Sequence, residues 1–388
     1  MRACSLCFAV SAFALGCQHD PTGIGDRVRE RWYQTQPGWS WARPAILGDV
    51  VYFGTGDGQV IARDVNTGIP RWASQVGTQP INGANLIARN GVVVAPVVFH
   101  TAGVDAQTGA VLWQYEAPRD TVGERHPGNP GQVARSRIDA DEQTVYIPAW
   151  GASISAVDLR TGVVRWIWQP GRMEGDTAAS GVFRSGSMGA RVSGDTVLTV
   201  VWHYVTRLGG TVEAWVVALD RATGGEFWRL KLPSQDWIEA QPVIYRNLVV
   251  VHTLAARTYA IDRSTLRIAW EFAPGGTIST IAGPSLYGDI VYLDGGDQSI
   301  YALRANDGGM VWRSEFPGHA TRDLLVTDRR VTFSNGGELF VLDRQTGTRV
   351  ATVTQPRTHD PLFASAAAYS NGLVFVTVGD GAWCFEEP

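Results

Sequence analysis

A chain of 388 residues with 45% hydrophobic and only 18% charged residues can bury a large core, which excludes an intrinsically disordered protein. Its formal charge of −4 leaves no electrostatic basis for nucleic-acid binding. Cys4, Cys7 and Cys17 crowd the N-terminus and only Cys384 lies beyond them, which argues against a fold stapled by disulfides or structural zinc.

Residues 1–16 read as an export signal. Arg2 supplies the positive charge, and an apolar run from Ala3 to Leu15 follows. A run of about 13 is too short for a bilayer span, which needs roughly 20 residues. Ala14-Leu15-Gly16-Cys17 resembles the lipobox of bacterial lipoproteins, where small residues precede the cysteine that is lipidated, here Cys17. Acyl chains contribute about 0.8 kcal/mol per buried methylene, so two or more hold a domain at a membrane. Gln18 follows Cys17. In the lipoproteins this resembles, aspartate there favours inner-membrane retention, so the expected address is the outer membrane, lipid-anchored and facing the periplasm. Residues 17–28, with Pro21, Gly23 and Gly25, read as a flexible tether.

From residue 29 onward one repeat dominates. Asp-x-x-Thr-Gly-x-x-x-Trp occurs at Asp64-Thr67-Gly68-Trp72, Asp105-Thr108-Gly109-Trp113, Asp158-Thr161-Gly162-Trp166 and Asp220-Thr223-Gly224-Trp228. Degenerate copies are Asp262-Thr265-Leu266-Trp270 and Arg304-Asp307-Gly308-Trp312; a seventh, Asp343-Thr346-Gly347, has Ala351 in place of tryptophan. First residues of successive copies lie 41, 53, 62, 42, 42 and 39 apart, the spacing of four-stranded propeller blades. Each copy follows a β-branched and aromatic run such as Val50-Val51-Tyr52-Phe53, a glycine-rich turn, and a second strand such as Val60-Ile61-Ala62-Arg63. Aspartate and glycine suit the turn, the first by bonding backbone amides and the second by tolerating positive φ. The tryptophan is expected on the outermost strand, its ring filling the gap to the next blade.

The ends complete the ring. Residues 379–387 copy residues 56–64, with Glu387 expected at the place of Asp64, and Arg29-Glu30-Arg31-Trp32-Tyr33-Gln34 is a lone strand carrying one more anchor tryptophan, Trp32. Pairing that strand with the C-terminal blade removes the open edges of a linear array. The predicted fold over 29–388 is all-β: an eight-bladed β-propeller of four-stranded antiparallel blades, closed by the N-terminal strand.

On these repeats the chain resembles the pyrroloquinoline-quinone-like propellers, over nearly all of 29–388. One branch of that superfamily holds quinoprotein dehydrogenases, and the resemblance there implies a quinone in the central channel, calcium, a catalytic aspartate and often two adjacent cysteines. No adjacent cysteine pair lies within 29–388, and there is little spare length for segments that would cap a cofactor. Asp294, Asp297 and Glu239 could bind calcium but read as solvated turn or strand-end residues. The other branch holds BamB-like lipoproteins, and the lipobox, the length and the blade count match it. That resemblance implies a monomeric, non-enzymatic scaffold without a cofactor, whose loops dock a protein partner in the outer-membrane β-barrel assembly machinery. A small-molecule or glycan binder using the central funnel, and a quinone-dependent oxidoreductase, are the alternatives.

Histidines 19, 100, 126, 203, 252, 319 and 359 show no zinc-ligand spacing, and no nucleophile elbow or phosphate loop is present. Three insertions are the expected interface: 117–132 with Arg125, 170–187 with Arg172, Met173, Phe183 and Arg184, and 203–212 with Tyr204 and Arg207. In an antiparallel blade the blade-to-blade loop and the middle loop emerge at the same end. All three are therefore expected on one face, over blades three and four, with a residue content common in protein interfaces.

Overall fold

The computed structural model describes residues 28–81, 83–118, 136–150, 153–170, 185–204, 212–276, 281–354, 363 and 365–388. The predicted signal, the Cys17 lipidation site and most of the tether lie outside the described residues. Among those described, 32 strands form eight antiparallel sheets of four. The protein is an eight-bladed β-propeller, as the repeat predicts. Seven blades are built from consecutive strands. The eighth takes its three inner strands from Ala368–Ser370, Leu373–Val378 and Gly381–Glu386, and its outermost strand from Glu30–Thr35.

Strand sequence follows position in the blade. Second strands such as Val50–Gly54 and Val92–Pro96 are buried along their whole length. Blades cover both of their faces, so apolar residues run without alternation. Outermost strands such as Val111–Tyr115 alternate, burying Trp113 and Tyr115 and exposing the residues between.

The tryptophans lock neighbouring blades together. Trp72 lies across from Ala62, Trp113 from Gly103, Trp166 from Ala156, Trp228 from Ala218, Trp270 from Ala260 and Trp312 from Ala302. The small residue leaves room for the indole: a Cβ on Gly103 would stand 2.1 Å from Trp113 Cε2. Except for Trp228, each ring then covers the glycine of the turn in the following blade and donates its Nε1–H to a carbonyl there. Trp32 bonds Val65 O at 2.9 Å, Trp113 bonds Leu159 O at 2.9 Å and Trp270 bonds Ala305 O at 3.0 Å. The turn beneath is held by its aspartate. Asp64 Oδ1 accepts the N–H of Asn66 (3.1 Å), the N–H of Thr67 (3.0 Å) and the Thr67 hydroxyl (3.0 Å). Asp105, Asp158, Asp220 and Asp343 repeat the set, and Asp262 keeps the two backbone bonds. Hydrogen bonds from Arg71 and Arg165 hold the Asp64 and Asp158 carboxyls down to about 2.

The exceptions obey the same packing. Trp228 is half-buried and makes no such bond, and the next blade offers it Leu266, at φ 52°, instead of glycine. Ala351 borders blade eight, whose outermost strand comes from the N-terminus, so that blade has no Thr-Gly turn for a tryptophan to cover. Its cross-strand partner is correspondingly larger, Val341.

Strand register corrects one expectation. Leu373 pairs with Glu386 as Val50 pairs with Asp64, so Glu386, not Glu387, stands at the position of Asp64. The middle turn of blade eight is one residue shorter than in blade one, which the linear alignment misses. Arg31 Nη1 bonds Glu386 at 3.0 Å as Arg71 bonds Asp64, and Cys384 takes the small-residue place opposite Trp32. Glu387 is buried instead against the Thr327 hydroxyl, at 2.6 Å, in blade seven.

Candidate functional site

Two faces follow from how each blade is strung. In blade one the N–H groups of Val76 and Gly77, in the loop to blade two, both donate to Gly58 O of the middle turn, at 3.0 and 3.2 Å. These two connections share one end, the loop face. Val65 N bonds Asp49 O at 3.0 Å at the opposite end, the turn face, which carries the aspartate turns. Of the predicted interface residues, Arg125, Arg172, Met173, Phe183, Arg184 and Arg207 lie outside the described residues. Tyr204 closes the strand Thr196–Tyr204, and its side chain lies outside them too. The second insertion is shorter than expected, because the innermost strand of blade four already begins at Ser185.

The loop face displays tryptophans that belong to no repeat position. Trp39 and Trp41, entering blade one, stack at 5.2 Å, with the Arg322 guanidinium 4.8 Å over the Trp41 ring. Trp39 remains 43% exposed. Over blades three to five, Trp202 and Trp237 stack at 4.9 Å with Trp150 edge-on at 5.9 Å, against Met188 and Val212. Periodicity was blind to these residues, and their departure from the repeat was the only signal available.

The axis is closed by charge. Arg43, Asn85, Arg137, Gln241, Gly283 and Asp323 each stand two residues before the innermost strand of their blade. Arg137 of blade three reaches across the channel to Asp323 of blade seven, with Nε to Oδ2 at 2.9 Å and Nη2 to Oδ1 at 2.7 Å. It also donates to Glu239 O and, at 2.8 Å, to Ile281 O. Asp323 Oδ1 accepts the Gly283 N–H at 2.6 Å. Burial opposes ionisation of Asp323, but the charge and hydrogen bonds of Arg137 outweigh it and hold the carboxyl well below the usual range. The plug separates a small recess of about 100 Å³ towards the loop face, beside Trp41 and Arg322, from a cavity of about 540 Å³ towards the turn face, beside Arg43 and Arg191.

The three weighed carboxylates do not form a metal centre. Asp294 is fully buried rather than solvated; its Oδ1 accepts the Gly296 N–H at 2.9 Å and its Oδ2 the Ala320 N–H at 2.5 Å. Asp297 accepts the Tyr301 hydroxyl at 2.6 Å and pairs with Arg313 at 3.3 Å. Glu239 is buried beside the plug. Both oxygens of Asp294 and Oδ2 of Asp297 are engaged within the protein, Glu239 lies apart beside the plug, and no group of three or more candidate ligands occurs among the described residues. Calcium does not fit this set.

The family model of the outer membrane protein assembly factor BamB matches residues 26–211, 151–299 and 212–382, nearly the whole ring. The chain belongs to the BamB family. Within reach of that family, it is 28% identical over 149 residues to the outer membrane protein assembly factor BamB of Nitrosomonas eutropha, covering 36% of this chain and 35% of that protein. It is also 20% identical over 269 residues to the tetrathionate hydrolase of Acidithiobacillus ferrooxidans, covering 68% of this chain and 50% of the hydrolase. The matched segments thus span half or less of the length of these two relatives. Among solved structures, a europium-containing methanol dehydrogenase superposes with a TM-score of 0.73 at 12% identity, over 93% of each chain. At that identity the likeness shows the fold alone. BamB-like and dehydrogenase propellers share this ring, so the ring by itself does not choose between them.

Proposed function

We propose that the protein is a non-enzymatic, lipid-anchored scaffold of the outer membrane, facing the periplasm, whose loop face docks a protein partner in β-barrel assembly. The observation that carries this reading is the family match, which runs from residue 26 to residue 382 without leaving room for a second domain in that span. Aromatic side chains outside the repeat add to it. Trp39, Trp41 and Arg322, with Trp150 and Trp237 seated on the buried Trp202, give the loop face the residue types that carry binding energy at protein interfaces. The insertions bearing Arg125, Arg172, Met173, Phe183, Arg184, Tyr204 and Arg207 join strands at that same end, and the proposal assigns them to the docking surface. Anchoring rests on Cys17.

Crosslinking in intact outer membranes, with recovery of a barrel-assembly protein by the full chain, is the test. Capture is expected to fall at least tenfold when 119–132 and 171–184 are shortened together, with the ring still folded. Full capture by that variant, or none by the intact chain, overturns the docking surface. Cys17→Ser is expected to move the protein from the membrane to the soluble fraction. The likeness to a tetrathionate hydrolase supports a second, enzymatic reading, and turnover of tetrathionate by the purified chain would displace the first.

A further inference from the structure

We infer that the turn-face half of the central channel binds a small organic acid, with a carboxylate or sulfonate headgroup against Arg43 and its chain along the channel wall. This inference does not rest on the scaffold reading, since it concerns the opposite mouth of the ring.

The cavity of about 540 Å³ lies within the range of roughly 300–1,000 Å³ typical of small-molecule sites. Its wall is mixed: Val192, Val243, Ile244 and Leu286, from the innermost strands of three successive blades, lie among Ser193, Gln241 and Ser285, and polar groups take the larger share of the surface. At its inner end the chemistry changes to guanidinium. Arg191 is committed to the blade: its Nε bonds Pro242 O at 3.1 Å and its Nη2 bonds Gln241 Oε1 at 3.0 Å. Arg137 is committed to Asp323, whose two oxygens are taken by Arg137 and the Gly283 N–H. Arg43 is the one left over. Its backbone is fixed between Ala84 and Leu86, yet its guanidinium has no hydrogen bond or ion pair among the described residues.

Asp323 and Asp139 attract Arg43, and Arg191 and Arg137 repel it, while Glu239 acts on Arg137. Burial lowers the Arg43 pKa; Asp323 opposes that shift, and Arg191 and Arg137 add to it. Guanidinium nevertheless stays protonated in proteins, so Arg43 carries a charge that no side chain among the described residues pairs directly. A planar fork of donors is matched by the two oxygens of a carboxylate or by a sulfonate. The anion would supply what the plug denies to Arg43, and Val192, Val243, Ile244 and Leu286 would contact its chain.

The test is calorimetric titration of the folded mature chain with hexanoate, hexanesulfonate and neutral hexanamide. The two acids are expected to bind saturably to the wild type and to Arg322→Gln, which lies on the other side of the plug. Arg43→Gln is expected to weaken both at least tenfold, and hexanamide to bind the wild type at least tenfold more weakly than hexanoate. Ser193→Trp, which fills the mouth of the cavity and leaves Arg43 in place, supplies the second variant should Arg43→Gln not fold; it is expected to abolish binding of both acids. Absence of saturable acid binding, equal binding of hexanamide, or acid binding unchanged in either cavity variant would each overturn the assignment.

Discussion

Gly68 is where the closure of the ring can be measured. It sits in the aspartate turn of blade one at φ +69°, under Trp32, the tryptophan of the N-terminal strand that completes blade eight. A Cβ there would lie 2.6 Å from Trp32 Cδ2 and 2.7 Å from Cε3. Carbon atoms pack at about 3.5–4.0 Å, so the indole would have to move. Trp32 is 6% exposed and bonded to Val65 O at 2.9 Å, and it has no free space to move into. Gly68→Ala is therefore expected to cost about 1 kcal/mol for the left-handed backbone, about 1–3 kcal/mol for overpacking and about 1 kcal/mol for the loosened hydrogen bond, together about 3–5 kcal/mol. Gly48, in the same blade at φ +62°, has nothing within 4 Å of its would-be Cβ. Gly48→Ala carries the backbone term alone, about 1 kcal/mol. Urea midpoints of the two variants, at unchanged m-value, separate the blade lock from the turn strain. In a Trp32→Ala background the Gly68→Ala cost is expected to fall to about 1 kcal/mol, because the ring it strikes is gone. Equal losses for Gly68→Ala and Gly48→Ala in the wild-type background would refute the lock.

Leu266 tests the same turn from the other side: Leu266→Gly is expected to gain about 0.5–1 kcal/mol in urea unfolding by relieving a non-glycine residue at φ 52°. Asp323→Ala is expected to cost about 3–5 kcal/mol, since it leaves the Arg137 charge buried and unpaired in the channel; a near-neutral result would remove the plug from the stability of the ring. His252 is fully buried and hydrogen-bonded to the Thr258 hydroxyl at 2.9 Å, and burial pushes its pKa down to about 4. Its folded value lies below its unfolded value, so the unfolded chain takes up the proton first. Its contribution to stability is complete above about pH 6.5 and lost as pH falls towards 4, amounting to about 3 kcal/mol. His252→Gln is expected to flatten the stability profile between pH 6.5 and 4, and an unchanged slope would assign the acid sensitivity elsewhere.

The ring was legible because each blade carries its own local chemistry. Asp64, Thr67 and Gly68 specify one turn within five residues, and Trp72 follows at fixed distance, so seven copies gave seven blades and their strand order, and residues 379–387 pointed to the eighth. Trp32, isolated near the N-terminus, gave the closure. The one-residue error at Glu386 arose where that chemistry is missing, since blade eight has no aspartate turn to fix the alignment. The requirement for a small residue opposite each anchor tryptophan was present in the sequence as Ala62, Gly103, Ala156 and Cys384, but only cross-strand register gives it a reason.

At the axis the sequence was silent. Arg137 and Asp323 are 186 residues apart, and the six positions two residues ahead of the innermost strands hold arginine, asparagine, glutamine, glycine and aspartate without pattern. Turns and strands repeat because each is decided by its own few neighbours, and those the sequence determined alone. The plug, the unmatched Arg43 and the cavity beside it depend on which segments a closed ring brings together at its centre. Only the tertiary structure decides that, because electrostatic pairing across a channel is set by distance in space and not by spacing along the chain.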